Sequence, residues 1–70
     1  MFNVDALHVG DRYNIEFFDS GFTIVGLKQA VLTATRDGPD GIEFEFEIEM
    51  PVTRRIVTIR ADLIVRVKTS

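Results

Sequence analysis

Cysteine and tryptophan are absent from this 70-residue chain, histidine occurs once and proline twice. Without cysteine, neither a disulfide nor a thiolate metal site can staple the fold. No apolar run approaches the ~18 residues that a membrane span needs. The start carries no basic stretch followed by an apolar one, so no signal peptide is read there. The expectation is a soluble, cytoplasmic protein with no membrane association. Low-complexity tracts, linkers and internal repeats are also lacking, so residues 1–70 read as a single domain. No nucleophile–base pair or carboxylate dyad presents itself: His8 is isolated, Ser20 falls in a turn and Ser70 is the last residue. This argues against an enzyme, and no cofactor is implied.

Eight basic residues stand against eleven acidic ones, a net charge of -3. That balance does not favour indiscriminate polyanion binding, although a local basic patch remains open. Hydrophobic residues make up 46% of the chain, which is high for so small a domain. A chain of this size buries only about 60% of its unfolded surface. Small folds without staples often gain buried area by oligomerising.

Most of what is present reads as strand. Residues 43–49, EFEFEIE, alternate four glutamates with three large apolar residues. That period belongs to a β-strand with one oily face and one acidic face. Further strands are expected over 12–18, 22–36, 53–60 and 64–68, with the acidic strand over 42–50. Residues 3–11 suggest a single helical turn, with Asn3 or Asp5 as its cap and Gly10 ending it. Asp19, Ser20 and Gly21 suit a hairpin turn. Gly26 lies inside the long second strand, where a glycine usually marks a bend or bulge. Residues 38–41, GPDG, are the clearest turn: Pro39 presets the first position and Gly41 supplies positive φ. Asp37 and Asp40 offer too few oxygens for a calcium loop, so a plain turn is the reading there.

The turns set registers. A loop of Pro39, Asp40 and Gly41 places Ala34, Leu32 and Ala30 opposite Phe46, Ile48 and Met50. It places Thr35, Thr33 and Val31 opposite Glu45, Glu47 and Glu49. A turn over Pro51 and Val52 sets Phe44 and Phe46 against Ile59 and Val57. Glu49, Glu45 and Glu43 then face Arg54, Thr58 and Arg60. The glutamates thus form an outer face eased by threonines and arginines, and a one-residue slip would invert every face. Five strands in meander order, one bent, with a short helical start, predict a mainly β fold: a small, strongly bent, open SH3-like barrel. Its last two strands are apolar and invite pairing with another chain.

Two stretches carry a resemblance. FFDSGFTIVGLKQAVL (17–32) resembles the first signature of the Sm-like proteins (the Sm, LSm and bacterial Hfq group), with Gly21 and Gly26 at the spacing of its two glycines. VTIRADLIVRV (57–67) resembles the second, with Ile59 and Arg60 matching and Ala61 standing where the family has glycine. The resemblance covers about residues 10 to 68. It implies an Sm-like open barrel that assembles into a ring of roughly five to seven copies, fourth strand to fifth. It also implies binding of single-stranded RNA near the pore, with Arg60 stacking on a base and Ala61 and Asp62 beside it. Counted without a gap, the family's loop aspartate falls on Leu32 and its asparagine on Arg36. With an insertion they fall on Asp37 and Gly41. Neither alignment supplies the asparagine amide. The alternatives are a ring that serves as a scaffold or protein-interaction module without RNA and, for Arg60 itself, a surface partner of Glu43. Arg54, Arg55, Arg66 and Lys68 read either as an added basic face or as solvated strand surface.

Overall fold

The computed structural model describes residues 6–49 and 53–70. Five antiparallel strands form one sheet: β1 (Arg12–Phe18), β2 (Ile24–Gly38), β3 (Gly41–Glu49), β4 (Arg54–Arg60) and β5 (Ile64–Thr69). A 3-10 turn, Ala61–Leu63, joins β4 to β5. The strand order is β4-β3-β2-β1-β5, so β4 and β5 are the two edges.

Among the described residues there is no α-helix. Over the described part of the span 3–11, residues 6–11, the expected helical turn is not seen beyond a 3-10 position at Ala6. Gly10, at φ +99, instead turns the chain into β1. Its N–H donates to the Leu32 carbonyl at 2.8 Å, and the Asp11 N–H donates to His8 O at 3.2 Å. The segment is therefore tied to β2 through a tight turn at Val9 and Gly10. Asn3 and Asp5, the expected caps, lie outside the described residues, as do Met50 and the turn through Pro51 and Val52.

Why the sheet curls follows from β2. Fifteen residues of straight strand would span about 50 Å, yet the longest dimension of the molecule is 32 Å. Two irregularities take up the difference. The pairing of β2 with β1 shifts between Tyr13↔Ala30 and Ile15↔Leu27, leaving Lys28 and Gln29 opposite Asn14 alone. Gln29 adopts φ 55 there, and its N–H donates to Asn14 Oδ1 at 3.0 Å. The pairing with β3 shifts again between Leu32 and Ala34. Such extra residues bend a strand and increase its twist. The bend expected at Gly26 thus lies at Gln29 instead. Gly26 pairs regularly with Glu16, and its backbone is open to any residue.

A shorter loop and the second bulge together correct the expected β2–β3 register. Gly38 pairs with Gly41, so Pro39 and Asp40 alone form the loop, and Thr35 faces Phe44. Beyond the extra residue, Leu32 faces Phe46 rather than Ile48, and Val31 faces Glu47 rather than Glu49. The bulge shifts the count by one and so keeps Leu32 and Ala30 on the inner face. Gly41 has the positive φ the turn requires, +118. The β3–β4 register is as expected throughout, from Glu43↔Arg60 to Glu49↔Arg54.

The inner face holds the core: Tyr13, Ile15, Ala30, Leu32, Phe44, Phe46, Ile59 and Ile64. Among the described residues, no polar or charged residue is buried with them. The Tyr13 hydroxyl accepts the His8 N–H at 2.8 Å, which satisfies the one polar atom its ring carries inward. The glutamates lie outside. Arg36 reaches both Glu43 and Glu45 at 3.8 Å, and Arg54 reaches Glu47 at 3.4 Å. Each such exposed pair contributes roughly 0.2–1 kcal/mol, so these arginines relieve repulsion more than they hold the fold.

The β1–β2 loop is closed by Asp19. Its Oδ1 accepts N–H groups from Gly21 at 2.9 Å and Thr23 at 3.0 Å. The left-handed residue of the loop is Phe22 (φ 60). A bulky residue there costs about 1 kcal/mol or more, and Phe22 is 84% exposed, so burial does not offset it. Phe22→Gly is expected to raise stability by about 1 kcal/mol, read by urea denaturation. A loss of that size would mean that the ring packs on something essential.

Candidate functional site

The second stretch of the resemblance ends β4. Arg60 is still extended (φ -70, ψ 141), and the 3-10 turn that follows folds Asp62 back beside it. The guanidinium donates through Nε to Asp62 Oδ1 at 3.1 Å and through Nη2 to Asp62 Oδ2 at 3.2 Å. This two-point contact fixes the guanidinium plane as well as its position. On its other side, Nη1 lies 3.6 Å from Asp40 Oδ2. The Arg60 side chain remains 39% exposed.

The fold brings these three together for a simple reason. Arg60 stands opposite Glu43, and the Pro39–Asp40 loop ends three residues before Glu43. Asp40, at the tip of that loop, meets Arg60 at the end of β4. The reading of Arg60 as a charge partner of Glu43 is half right. The backbones pair, but Glu43 is taken by Arg36. Room for that carboxylate comes from Gly38, where a Cβ would sit 2.6 Å from the Glu43 carboxyl carbon.

Of the candidate RNA residues, Arg60, Ala61 and Asp62 are contiguous. Ala61 packs against the core, so it offers backbone rather than side chain. Asp37 and Gly41 lie on the same hairpin as Asp40, both exposed. Asp37 pairs with Ile42 along the ladder and makes no ion pair with Arg60. The aspartate that reaches the arginine is Asp40, which sequence reasoning treated only as a turn residue. The two-residue loop and the Glu43↔Arg60 pairing together were the signal. The other two singled-out glycines, Gly21 and Gly26, lie at the far end, in the β1–β2 loop and in β2.

One cation between two carboxylates leaves the cluster with a net charge of -1. It is therefore a poor anchor for phosphate. A planar cation held by its edge keeps its faces for a flat partner, and stacking of an aromatic or a base is what such a group does well. Among the described residues, no three histidine, aspartate or glutamate side chains are grouped to hold a metal ion. No helix among them is long and apolar enough to cross a membrane.

The architecture defines a mainly β, strongly bent, single-sheet protein with an arginine–aspartate cluster at one end. Comparison with protein-family models, curated proteins and solved structures finds no match to the chain.

Proposed function

We propose that the chain is an Sm-like subunit. Copies join edge to edge, β4 of one to β5 of the next, into a ring of roughly five to seven. Arg60 of each copy then holds a base of single-stranded RNA. The observation that carries the reading is the strand order. It leaves the two apolar strands as the sheet edges, each with an exposed apolar side chain, Ile56 at 61% and Val65 at 46%. Unpaired edges with apolar side chains are templates for another chain. Arg60 adds to it, because its plane is preset by Asp62 and its remaining surface is open. Asp62, Asp37, Gly41 and the Ala61 backbone are the further candidate contacts.

The second reading, a ring that acts as a scaffold without RNA, is favoured by the two carboxylates on Arg60 and by the net charge of -3 per chain. The two readings separate in fluorescence anisotropy with labelled uridine and adenine oligomers at low and moderate salt. Stacking on an arginine or aromatic contributes roughly 1–3 kcal/mol per base, repeated at each subunit. Arg60→Ala should therefore remove most of the binding while the oligomer stays intact, and duplex RNA should bind little. No binding at low salt, or binding indifferent to Arg60→Ala, leaves the scaffold.

A further inference from the structure

The outer face of β1, β2 and β5 carries a hollow of about 290 Å3, apart from the Arg60 cluster. Its construction follows from the register. Gly26 stands opposite Glu16, and Glu16 opposite Arg66, so along this row β2 contributes no side chain. A Cβ at Gly26 would meet only the Ile15 carbonyl, at 3.9 Å. The glycine is thus demanded neither by its own backbone nor by crowding. What its missing side chain does is leave the hollow open.

The groups around that space are of one kind. Lys28, Arg66 and Lys68 line it, against the single carboxylate of Glu16. Glu16 engages Arg66 in one loose contact of 3.5 Å, with both side chains well exposed. Neither Lys28 nor Lys68 has an ion-pair partner among the described residues. The hollow therefore carries a local charge of about +2 on a chain whose net charge is -3. Asn14 lines it too. Its carbonyl oxygen is fixed by the Gln29 N–H, which leaves its NH2 as a donor of settled orientation. Leu27 also borders the hollow, but it pairs with Ile15 and its side chain packs against the core, so the apolar surface on the outer side is that of the aliphatic stems of Lys28, Arg66 and Lys68.

We propose that this hollow binds a small phosphate monoester with an apolar substituent, the dianion held by Lys28, Lys68 and the Asn14 amide and the substituent seated over Gly26 among the aliphatic side-chain stems. Two negative charges match the local +2, and the volume is at the lower end of small-molecule sites. The proposal does not rest on the Arg60 reading, and Arg60→Ala should leave it untouched.

The test is isothermal titration calorimetry of the full chain with phenyl phosphate and with inorganic phosphate. One saturable site per chain is expected, with phenyl phosphate roughly tenfold tighter because its ring is buried. Lys28→Gln and Lys68→Gln should each weaken binding about tenfold, as loss of a charged hydrogen bond does. Gly26→Val should abolish binding, with circular dichroism showing the sheet unchanged. Competition by a 5′-phosphorylated oligouridine or by phosphatidic acid vesicles, if stronger than that of phenyl phosphate, would assign the monoester to a nucleic-acid end or a lipid and overturn the small-molecule proposal. No saturable heat, or binding indifferent to Gly26→Val and to both lysine changes, would overturn the site itself.

Discussion

Phe46→Ala is expected to cost about 3–5 kcal/mol, while Glu47→Gln, one residue along the same strand, should change stability by less than about 0.5 kcal/mol. Phe46 is fully buried. It lies between Leu32 on β2 and Val57 on β4, and its ring is tilted against that of Phe44 with centroids 6.2 Å apart. Removing it leaves a cavity that a thin, two-sided core cannot close by collapse. A 70-residue domain has a total stability of only about 4–10 kcal/mol, so the variant should be largely unfolded at modest urea. Glu47 points outward to Arg54, whose side chain is 74% exposed. Losing that charge weakens one screened pair and also reduces repulsion along the stripe. Urea denaturation monitored by circular dichroism gives both numbers. Equal effects would mean that the two faces of β3 have been assigned wrongly.

This contrast was legible in the sequence because strict alternation fixes faces, and the GPDG turn fixes one end of β3. The β3–β4 register followed from the same alternation, since only one parity brings Phe44 to Ile59. The bulges were not legible. Gln29 and Thr33 are ordinary strand residues with no glycine beside them. The left-handed turn at Gln29 is held by Asn14, fifteen residues away, so no local pattern marks it. The count across the β2–β3 hairpin failed for two reasons: the loop holds two residues rather than three, and one unseen extra residue shifts every partner beyond it by one more. Gly26 drew attention to the right strand for the wrong cause: it opens space rather than bending the backbone. Of the candidate site, Arg60 and Asp62 could be read from one short run. Asp40 required the hairpin and the β4 end to be placed together, which is a matter of register and not of motif. The N-terminal helical turn was suggested by the end residues Asn3, Asp5 and Gly10, and of these the described Gly10 serves to tie the chain to Leu32.

The second large effect concerns the sheet edges. Ile56→Lys on β4 and Val65→Lys on β5 should each leave the subunit folded, because both side chains are substantially exposed in the single chain. In a ring each would place a charge where apolar contact is expected. Burying a side chain of this size contributes roughly 1.5–3 kcal/mol, and a head-to-tail ring repeats the change at every interface. Each contact should weaken about tenfold to a hundredfold, and closure should fail. Circular dichroism should stay that of the unaltered chain while the assembly disappears. Unfolding of both variants would instead show that Ile56 and Val65 serve the monomer.

Pairing of β4 with β5 between copies is the central claim, and native mass spectrometry at micromolar concentration tests it most directly. The unaltered chain should appear as one dominant species of roughly five to seven copies, each of 7.9 kDa. Ile56→Lys and Val65→Lys should shift it to the single chain. An unaltered protein found only at 7.9 kDa would contradict the account.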